Sequence, residues 1–320
     1  EQRKLVNKAF TRKLIDTYEP MLREIATKII EQALKNPEFE ALNAIAKPLP
    51  MRMLGRILGT PEEDDNWLVK QANQMIANSD PDFTDHVIDQ VDTEKYRFAP
   101  FRSPAGLEIF KYAEKQAELR LRSPGDDLTT MLLQPKKDGT RLSESEYKNF
   151  FALFVSAGND TTRYTISSSL HAIANRPDLF LQLQNADENL WETAADEFIR
   201  WASSTMHFRR TAQEDTERHG KLIKANDKVV LWFIAGNRDR RFFDAPHQID
   251  LARKNNPHLA FGRSGPHNCL GLWLARLETR IVLQEFVKRV KCVRQSGPVS
   301  HLRSNFINGI KTLPLSVQVV

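Results

Sequence analysis

The run Phe261-Gly262-Arg263-Ser264-Gly265-Pro266-His267-Asn268-Cys269-Leu270-Gly271 holds the residue types best suited to chemistry. It is a glycine-rich loop that feeds a helical pattern through Leu274, Ala275, Leu277 and Glu278. A cysteine at such a junction lies at the positive end of a helix dipole, among free backbone N–H groups, which lowers a thiol's pKa and favours thiolate. A thiolate binds metal. The competing reading is a turn around a buried thiol that acts as a small hydrophobe. Three glycines, His267 two residues before the cysteine and Gly271 two after it weigh against that reading.

A second segment breaks local rules. Phe150-Phe151-Ala152-Leu153-Phe154-Val155 runs into Ala157-Gly158-Asn159-Asp160-Thr161-Thr162-Arg163 inside one long helical pattern. Gly, Asn, Asp and Thr weaken a helix by up to ~1 kcal/mol each and bring polar groups that need partners. Rules broken together point to a site. Gly158 lets a flat ligand approach the backbone, Thr161 can bond back to a helix carbonyl and open a kink, and Asp160 offers a proton-transfer group. A surface polar turn is the alternative, and the resumption of the pattern at Tyr164, Ile166 and Leu170 counts against it.

The third element, Glu197-Phe198-Ile199-Arg200, places a carboxylate and a guanidinium three apart on one helical face. Alone it reads as a surface pair worth ~0.2–0.5 kcal/mol.

Helices must position these residues. Apolar spacing gives helices over 4–10 and 13–33, and Thr60-Pro61-Glu62-Glu63 reads as the cap of a helix to about Ala77, with Gly59 closing the one before. Residues 79–102 form a long connection and a candidate lid. Ser103-Pro104 opens a helix to about Leu121, and Ser143 with Glu146 forms a capping box at the head of a helix reaching Asn175, where Pro177 stops it. Helices over 187–202 and 270–290 follow, with strands at Val229–Phe233 and Leu313–Val319. The fold class is mainly α with small β-sheets, in a single domain over 1–320.

Composition narrows the function. The net charge of +5 comes from 46 basic and 41 acidic residues spread along the chain, so no basic footprint for nucleic acid stands out. The longest apolar run, 150–157, is far short of the ~20 residues of a membrane span. Two cysteines make no disulfide framework, and Glu1-Gln2-Arg3-Lys4 has neither an initiator Met nor a secretory pattern, so a cytoplasmic location is expected.

In order and spacing these three segments resemble the cytochrome P-450 family: an oxygen-activating helix motif, a Glu-x-x-Arg helix and a cysteine loop. The connecting text agrees, with Arg209-Arg210-Thr211-Ala212, His219-Gly220, Gly236-Asn237-Arg238-Asp239, the stretch from Phe243 through Pro246 to Arg253, and Asn305-Phe306-Ile307-Asn308-Gly309. The likeness covers essentially the whole chain and is greatest to soluble bacterial members that hydroxylate terpenoids and other apolar molecules. It implies the P-450 fold and a monooxygenase that inserts one oxygen atom from O2 into a small apolar substrate (terpenoid, steroid or fatty-acid-like). The implied cofactor is heme b (iron protoporphyrin IX), and the implied electron source is a ferredoxin with its reductase and NAD(P)H.

Carried over by position, Cys269 is the expected iron ligand, with Leu270 and Gly271 aiming N–H groups at its sulfur. Asp160 and Thr161 match the family's acid–alcohol pair for proton delivery. Glu197, Arg200 and Arg253 match a structural triad, while Arg210, His267 and Arg3 sit where propionate ligands are expected. Phe261, Ala157 and Gly158 complete the cofactor contacts, and Leu153, Met206 and Ile307 occupy pocket positions. Arg263, Arg276 and Arg280 would offer positive charge to the ferredoxin.

Two departures accompany the likeness. Both Arg263 and Ser264 separate Gly262 from Gly265, where the family has one residue fewer, so a bulge is expected there. The front of the chain resembles the middle of a helix well inside a full-length member, so the resemblance implies that the family's N-terminal part is lacking, and with it some cofactor contacts and turnover. A heme-thiolate protein without catalysis is therefore the rival reading. A zinc site on Cys269 and His267 has too few ligands for a closed shell.

Overall fold

The computed structural model describes residues 2–320 of the chain, apart from Lys137 and Ser264. The apolar spacing at the front folds as helix in pieces: α1 (Gln2–Val6), α2 (Arg12–Asp16) and α3 (Glu19–Ala33), with a 3-10 turn over Asn7–Phe10. Pro20 falls in the first turn of α3, where no helical N–H is required, and Leu22, Ala26, Ile29 and Ile30 form its buried face. Strand β1 (Glu38–Glu40) and a π-turn over Leu42–Ala46 lead to α4 (Pro48–Leu58), which Gly59 ends at φ 77°.

The next start differs from expectation. Pro61 is extended (ψ 142°), Glu62–Asp64 make a 3-10 turn, and α5 begins only at Asp65 and runs to Ile76. Thr60 is thus too far upstream to cap it, and its hydroxyl makes no hydrogen bond. The connection 79–102 carries short 3-10 turns, after which Ser103 caps α6 (Pro104–Arg122) and Asp127 caps α7 (Leu128–Leu133). Both halves of the capping box at Ser143 and Glu146 are present, and α8 runs unbroken over Glu144–Asn175. It is followed by α9 (Pro177–Gln184) and α10 (Glu188–Ala202).

The strands are short and antiparallel. Strand β2 (His207–Thr211) is followed by the hairpin of β3 (Thr216–Arg218) and β4 (Lys221–Ile223), and then by β5 (Lys228–Trp232), which pairs with β2. A single turn, α11 (Phe233–Gly236), precedes the long loop to α12 (Leu272–Arg289). Strand β6 (Val290–Gln295), the pair β7 (Ser300–His301) and β8 (Ile310–Thr312), and β9 (Pro314–Val319) end the chain, with β9 lying between β1 and β6.

α8 is the axis of the molecule. Helices α4, α5, α6, α10 and α12 all pack on it, and the hydrophobic core runs from Val6 to Val317 around it. Among the described residues no helix is long and apolar enough to cross a membrane.

Candidate active site

The cysteine loop is shaped by its own backbone. Gly262 and Gly265 take positive φ (68° and 88°), which side-chain-bearing residues adopt only with strain, and the Cys269 N–H returns to the Phe261 carbonyl at 2.8 Å. Gly271 is the N-cap of α12, and its N–H donates to the Cys269 sulfur, as expected. A Cβ placed at Gly271 would meet nothing within 4 Å, so the space beside it is open. The Ser264 part of the expected bulge lies outside the described residues.

The protonation of Cys269 departs from the sequence-based expectation. Burial pushes its thiol up, and the Gly271 N–H and the charges of Arg3 and Arg276 oppose this without overcoming it. Desolvating an isolated thiolate outweighs the field of one helix end. The second cysteine, Cys292, lies exposed on β6. Arg3 donates to the carbonyls of Pro266 (3.1 Å) and Asn268, so α1 is tied to the loop. His267 is exposed, and Arg210 is half-buried with its guanidinium on the Arg209 carbonyl (3.0 Å).

On α8 the pattern of burial is more telling. Through its middle the helix is buried all round except along Leu153, Ala157 and Thr161, with Gly158 half-buried beside them. Residues four apart share a face, so these three form one open stripe on a core helix. Thr161 bonds back to the Ala157 carbonyl (2.8 Å), as expected, yet the helix is not interrupted. Gly158 also has a packing reason to be small. A Cβ there would come within 3.3 Å of Leu54, so its smallness serves the packing of α4 on α8.

Asp160 faces away from the stripe. It is 1% exposed and pairs with Arg163 at 2.8 Å; Arg163 also donates to Asn73 of α5 (2.6 Å) and to the Tyr164 hydroxyl (2.8 Å). Burial raises the Asp160 carboxyl, with Arg163 and then Asn159 pulling the other way. Three atoms remain without partners: Asp160 Oδ2, Asn159 Oδ1 and Arg163 Nε. Beside them Thr162 hydrogen-bonds Glu278 of α12, whose carboxyl burial holds well above its ordinary value. Arg163, Asn73 and Glu278 were not singled out in the sequence, although Arg163 closes the same motif.

The Glu197–Arg200 pair is no surface ornament. Both side chains are fully buried. Glu197 accepts from Arg200 (2.8 and 2.7 Å), Arg253 (3.0 Å), Asn256 (3.1 Å) and the Asp250 N–H (2.9 Å). Arg200 also donates to the carbonyls of Asn237, Pro246 and Gln248, and the Phe243 ring lies against both guanidiniums. Burial pushes Glu197 up, but Arg200 and the Asp250 N–H more than compensate, and its carboxyl is held below the ordinary range.

The pocket positions separate. Met206 is half-buried and donates to the Phe306 carbonyl (2.9 Å), while Ile307 is 2% exposed within the core. The ring of Phe306, to which the sequence assigned no pocket role, meets Phe101, His207 and Phe208. Ser204 bonds Thr165, one turn beyond Thr161, and so brings the Met206 segment against α8. Arg276 and Arg280 do not stand free as docking charges: Arg276 pairs with Asp196 (2.6 Å), and Arg280 with Glu19 (2.9 Å) and Glu188 (3.6 Å).

The family model for cytochrome P450 matches residues 1–318. The chain is 35% identical over 317 residues to a methyl-branched lipid omega-hydroxylase of Mycobacterium tuberculosis, covering 98% of this chain and 71% of that protein. It is 35% identical over 309 residues to a steroid C26-monooxygenase of Rhodococcus jostii, covering 97% of this chain and 62% of that protein. A Mycobacterium marinum cytochrome P450 solved with pseudoionone superposes with a TM-score of 0.90 at 33% identity, over 98% of this chain and 74% of that one. The match runs through the open stripe on α8, the cysteine loop before α12 and the buried Glu197–Arg200–Arg253 cluster, and the chain belongs to the cytochrome P450 family.

Proposed function

We propose that the chain is a heme-thiolate monooxygenase that uses Cys269 as the iron ligand and acts on an apolar, lipid-like or steroid-like molecule. The observation that carries this reading is the stripe of Leu153, Ala157 and Thr161, left open on a helix otherwise enclosed by core. The residues fit a heme b. The stripe offers a flat, mostly apolar face, the space beside Gly271 is open, and the half-buried Cys269 already accepts one N–H at its sulfur. Arg210, His267 and Arg3 would hold the propionates, with Arg3 exchanging its loop carbonyls for an anion, and Phe261 would pack against the ring.

When bound, the heme supplies the activation of dioxygen, and the thiolate pushes electron density toward iron. The chain supplies position and protons. Thr161 presents its hydroxyl on the open stripe. Asp160, the buried acid preceding it on α8, would feed it protons once its free Oδ2 turns from the core toward Thr161. Glu197, Arg200 and Arg253 hold the segment before the cysteine loop rigid, which fixes the sulfur. Leu153, Met206 and Ile307, with Phe306, line the apolar side. Electrons would come from a ferredoxin with its reductase and NAD(P)H, in the cytoplasm, where both cysteines stay reduced.

The rival reading, a heme-thiolate protein that does not turn over, is favoured by one observation: Asp160 is locked on Arg163 and faces away from the stripe. One experiment separates them. The heme-loaded protein is supplied with ferredoxin, reductase, NADPH and isotopically heavy dioxygen, with a branched fatty acid or a cholestane sterol as probe. One heavy oxygen atom in the product supports the monooxygenase; NADPH consumed with no labelled product from either probe supports the rival.

A further inference from the structure

The connection 79–102 is fastened to the β7–β8 hairpin, chiefly by charge. Asp80, 1% exposed, accepts the backbone N–H of Arg303 on one oxygen (2.9 Å), and the Lys311 ammonium lies 3.1 Å from the same oxygen. Lys311 also reaches Asp82. Further out, the Arg303 guanidinium pairs with Asp89 (2.8 Å) and donates to the Ser79 carbonyl. Among the described residues no backbone–backbone hydrogen bond joins the connection to the hairpin. The two fastenings are not equivalent. Lys311 is 17% exposed beside the buried Asp80, whereas the Arg303 and Asp89 side chains are 49% and 55% exposed, so water and salt screen the outer pair far more. The far end of the connection is strained. Phe101 and Arg102 take φ of 55° and 51°, with the Phe101 carbonyl held by Asn78 (2.9 Å) and its ring 6.3 Å from that of Phe306.

The hairpin is firm and lies against α8. Its loop is closed by the Leu302 N–H on the Gly309 carbonyl (2.9 Å) and by the Ser304 hydroxyl, which accepts from the N–H groups of Phe306 and Ile307 (3.1 and 3.0 Å). Gly309 packs so closely that a Cβ there would come within 2.8 Å of the Tyr164 ring. The Asn308 N–H donates to the Ser204 carbonyl (2.8 Å), and Ser204 bonds Thr165, the next position along the open stripe after Thr161. At that end, therefore, the stripe is closed by a segment that the hairpin supports, and the connection is fastened to the same hairpin.

We propose that the Arg303–Asp89 pair is a salt-sensitive catch. While it is closed, residues 83–100 are held on the β7–β8 hairpin; when it opens, they swing about the anchored Asp80 and admit an apolar molecule at the Thr161 end of the stripe. An exposed pair is worth little, which suits a catch that must open, and a buried one suits the pivot. The entry step rests on the stripe being the substrate face; the catch itself does not.

Hydrogen exchange of the amides of 83–100 reads the catch in the heme-loaded protein. At low salt Asp89→Asn should speed exchange there by about threefold, the worth of an exposed pair. Residues 302–305 should not change, because the Arg303 N–H stays on Asp80. At about 0.5 M salt, where screening is strong, wild type should exchange as fast as the variant. Arg303→Glu, which faces Asp80 and Asp89 with a like charge, should exchange faster still, and adding Asp89→Arg should restore the wild-type rate. Equal exchange at low salt, a difference that persists at high salt, or no rescue by the reversed pair overturns the proposal. Stopped-flow binding of a branched fatty acid tests the entry step, and Asp89→Asn should bind it about threefold faster at low salt. Faster exchange with an unchanged binding rate overturns the swing as the way in. Wild type that binds neither this probe nor a cholestane sterol removes the substrate reading and the entry step with it, while the exchange rates alone decide the catch.

Discussion

Two of the buried charge clusters among the described residues, around Glu197 and around Asp160, are finished differently. Around Glu197 both carboxylate oxygens are fully used and the surplus N–H groups of Arg200 all reach backbone carbonyls, so that only Asn256 Oδ1 at its edge lacks a partner. Around Asp160 the ion pair is equally buried, yet Asp160 Oδ2, Asn159 Oδ1 and Arg163 Nε find nothing. Burying an unpaired polar group costs free energy, so a fold keeps such groups where the unpaired state is used. The Glu197 cluster ties α10 to the segment 237–256 that precedes the cysteine loop; the Asp160 cluster leaves an acid with an unused oxygen in the core behind the open stripe of α8.

The largest expected effect tests the saturated side. Glu197→Gln leaves two guanidiniums buried without a counter-charge and should cost ~3–5 kcal/mol in denaturant unfolding. Asp160→Asn, measured the same way, should cost clearly less, because its surroundings already tolerate unpaired atoms. The reverse ranking would break the comparison.

Function should rank the other way. Asp160→Asn should lower coupled product formation by ~10²-fold, in line with losing a positioned proton donor, while its heme spectrum stays that of wild type. Thr161→Ala should change stability by only about 0.5 kcal/mol, since its hydroxyl bonds only a carbonyl of its own helix. It should still release peroxide at the expense of product, measured against NAD(P)H consumed. Unchanged coupling would remove Thr161 from proton delivery.

The smallest effect is in the pH dependence, where the two acids have opposite signs. The folded pKa of Glu197 is depressed, so its contribution to stability is present above its ordinary value and lost as pH falls through the folded one. The folded pKa of Asp160 is raised, so its contribution grows as pH falls from the folded value toward the ordinary one. Stability curves of wild type minus Glu197→Gln and wild type minus Asp160→Asn should therefore slope in opposite directions on the acid side. Parallel slopes would show that the two clusters are alike.

Much of this was legible in the sequence, and the rest failed for physical reasons. The capping box at Ser143, the unbroken α8 and the Gly59 stop are local signals, and each stands where local chemistry puts it. The caps of α5 misled because Pro61 looks like a first-turn proline while its extended backbone keeps it outside the helix. Glu197 and Arg200 looked like a surface pair because three-residue spacing says which side chains share a face and nothing about what covers them. Arg276 and Arg280 looked free for the same reason: their partners Asp196, Glu19 and Glu188 come from distant parts of the chain. That Gly158 also packs close to Leu54 could not be read from the sequence, because only the crossing of α4 and α8 creates the contact.

The measurement that bears most directly on the central claim is the ferrous carbon-monoxide absorption spectrum of the heme-loaded protein beside Cys269→Ser and Cys292→Ser. If Cys269 is the iron ligand, the thiolate band is present in wild type, unchanged in Cys292→Ser and lost in Cys269→Ser. A band that survives Cys269→Ser, or that disappears equally with Cys292→Ser, would contradict the assignment.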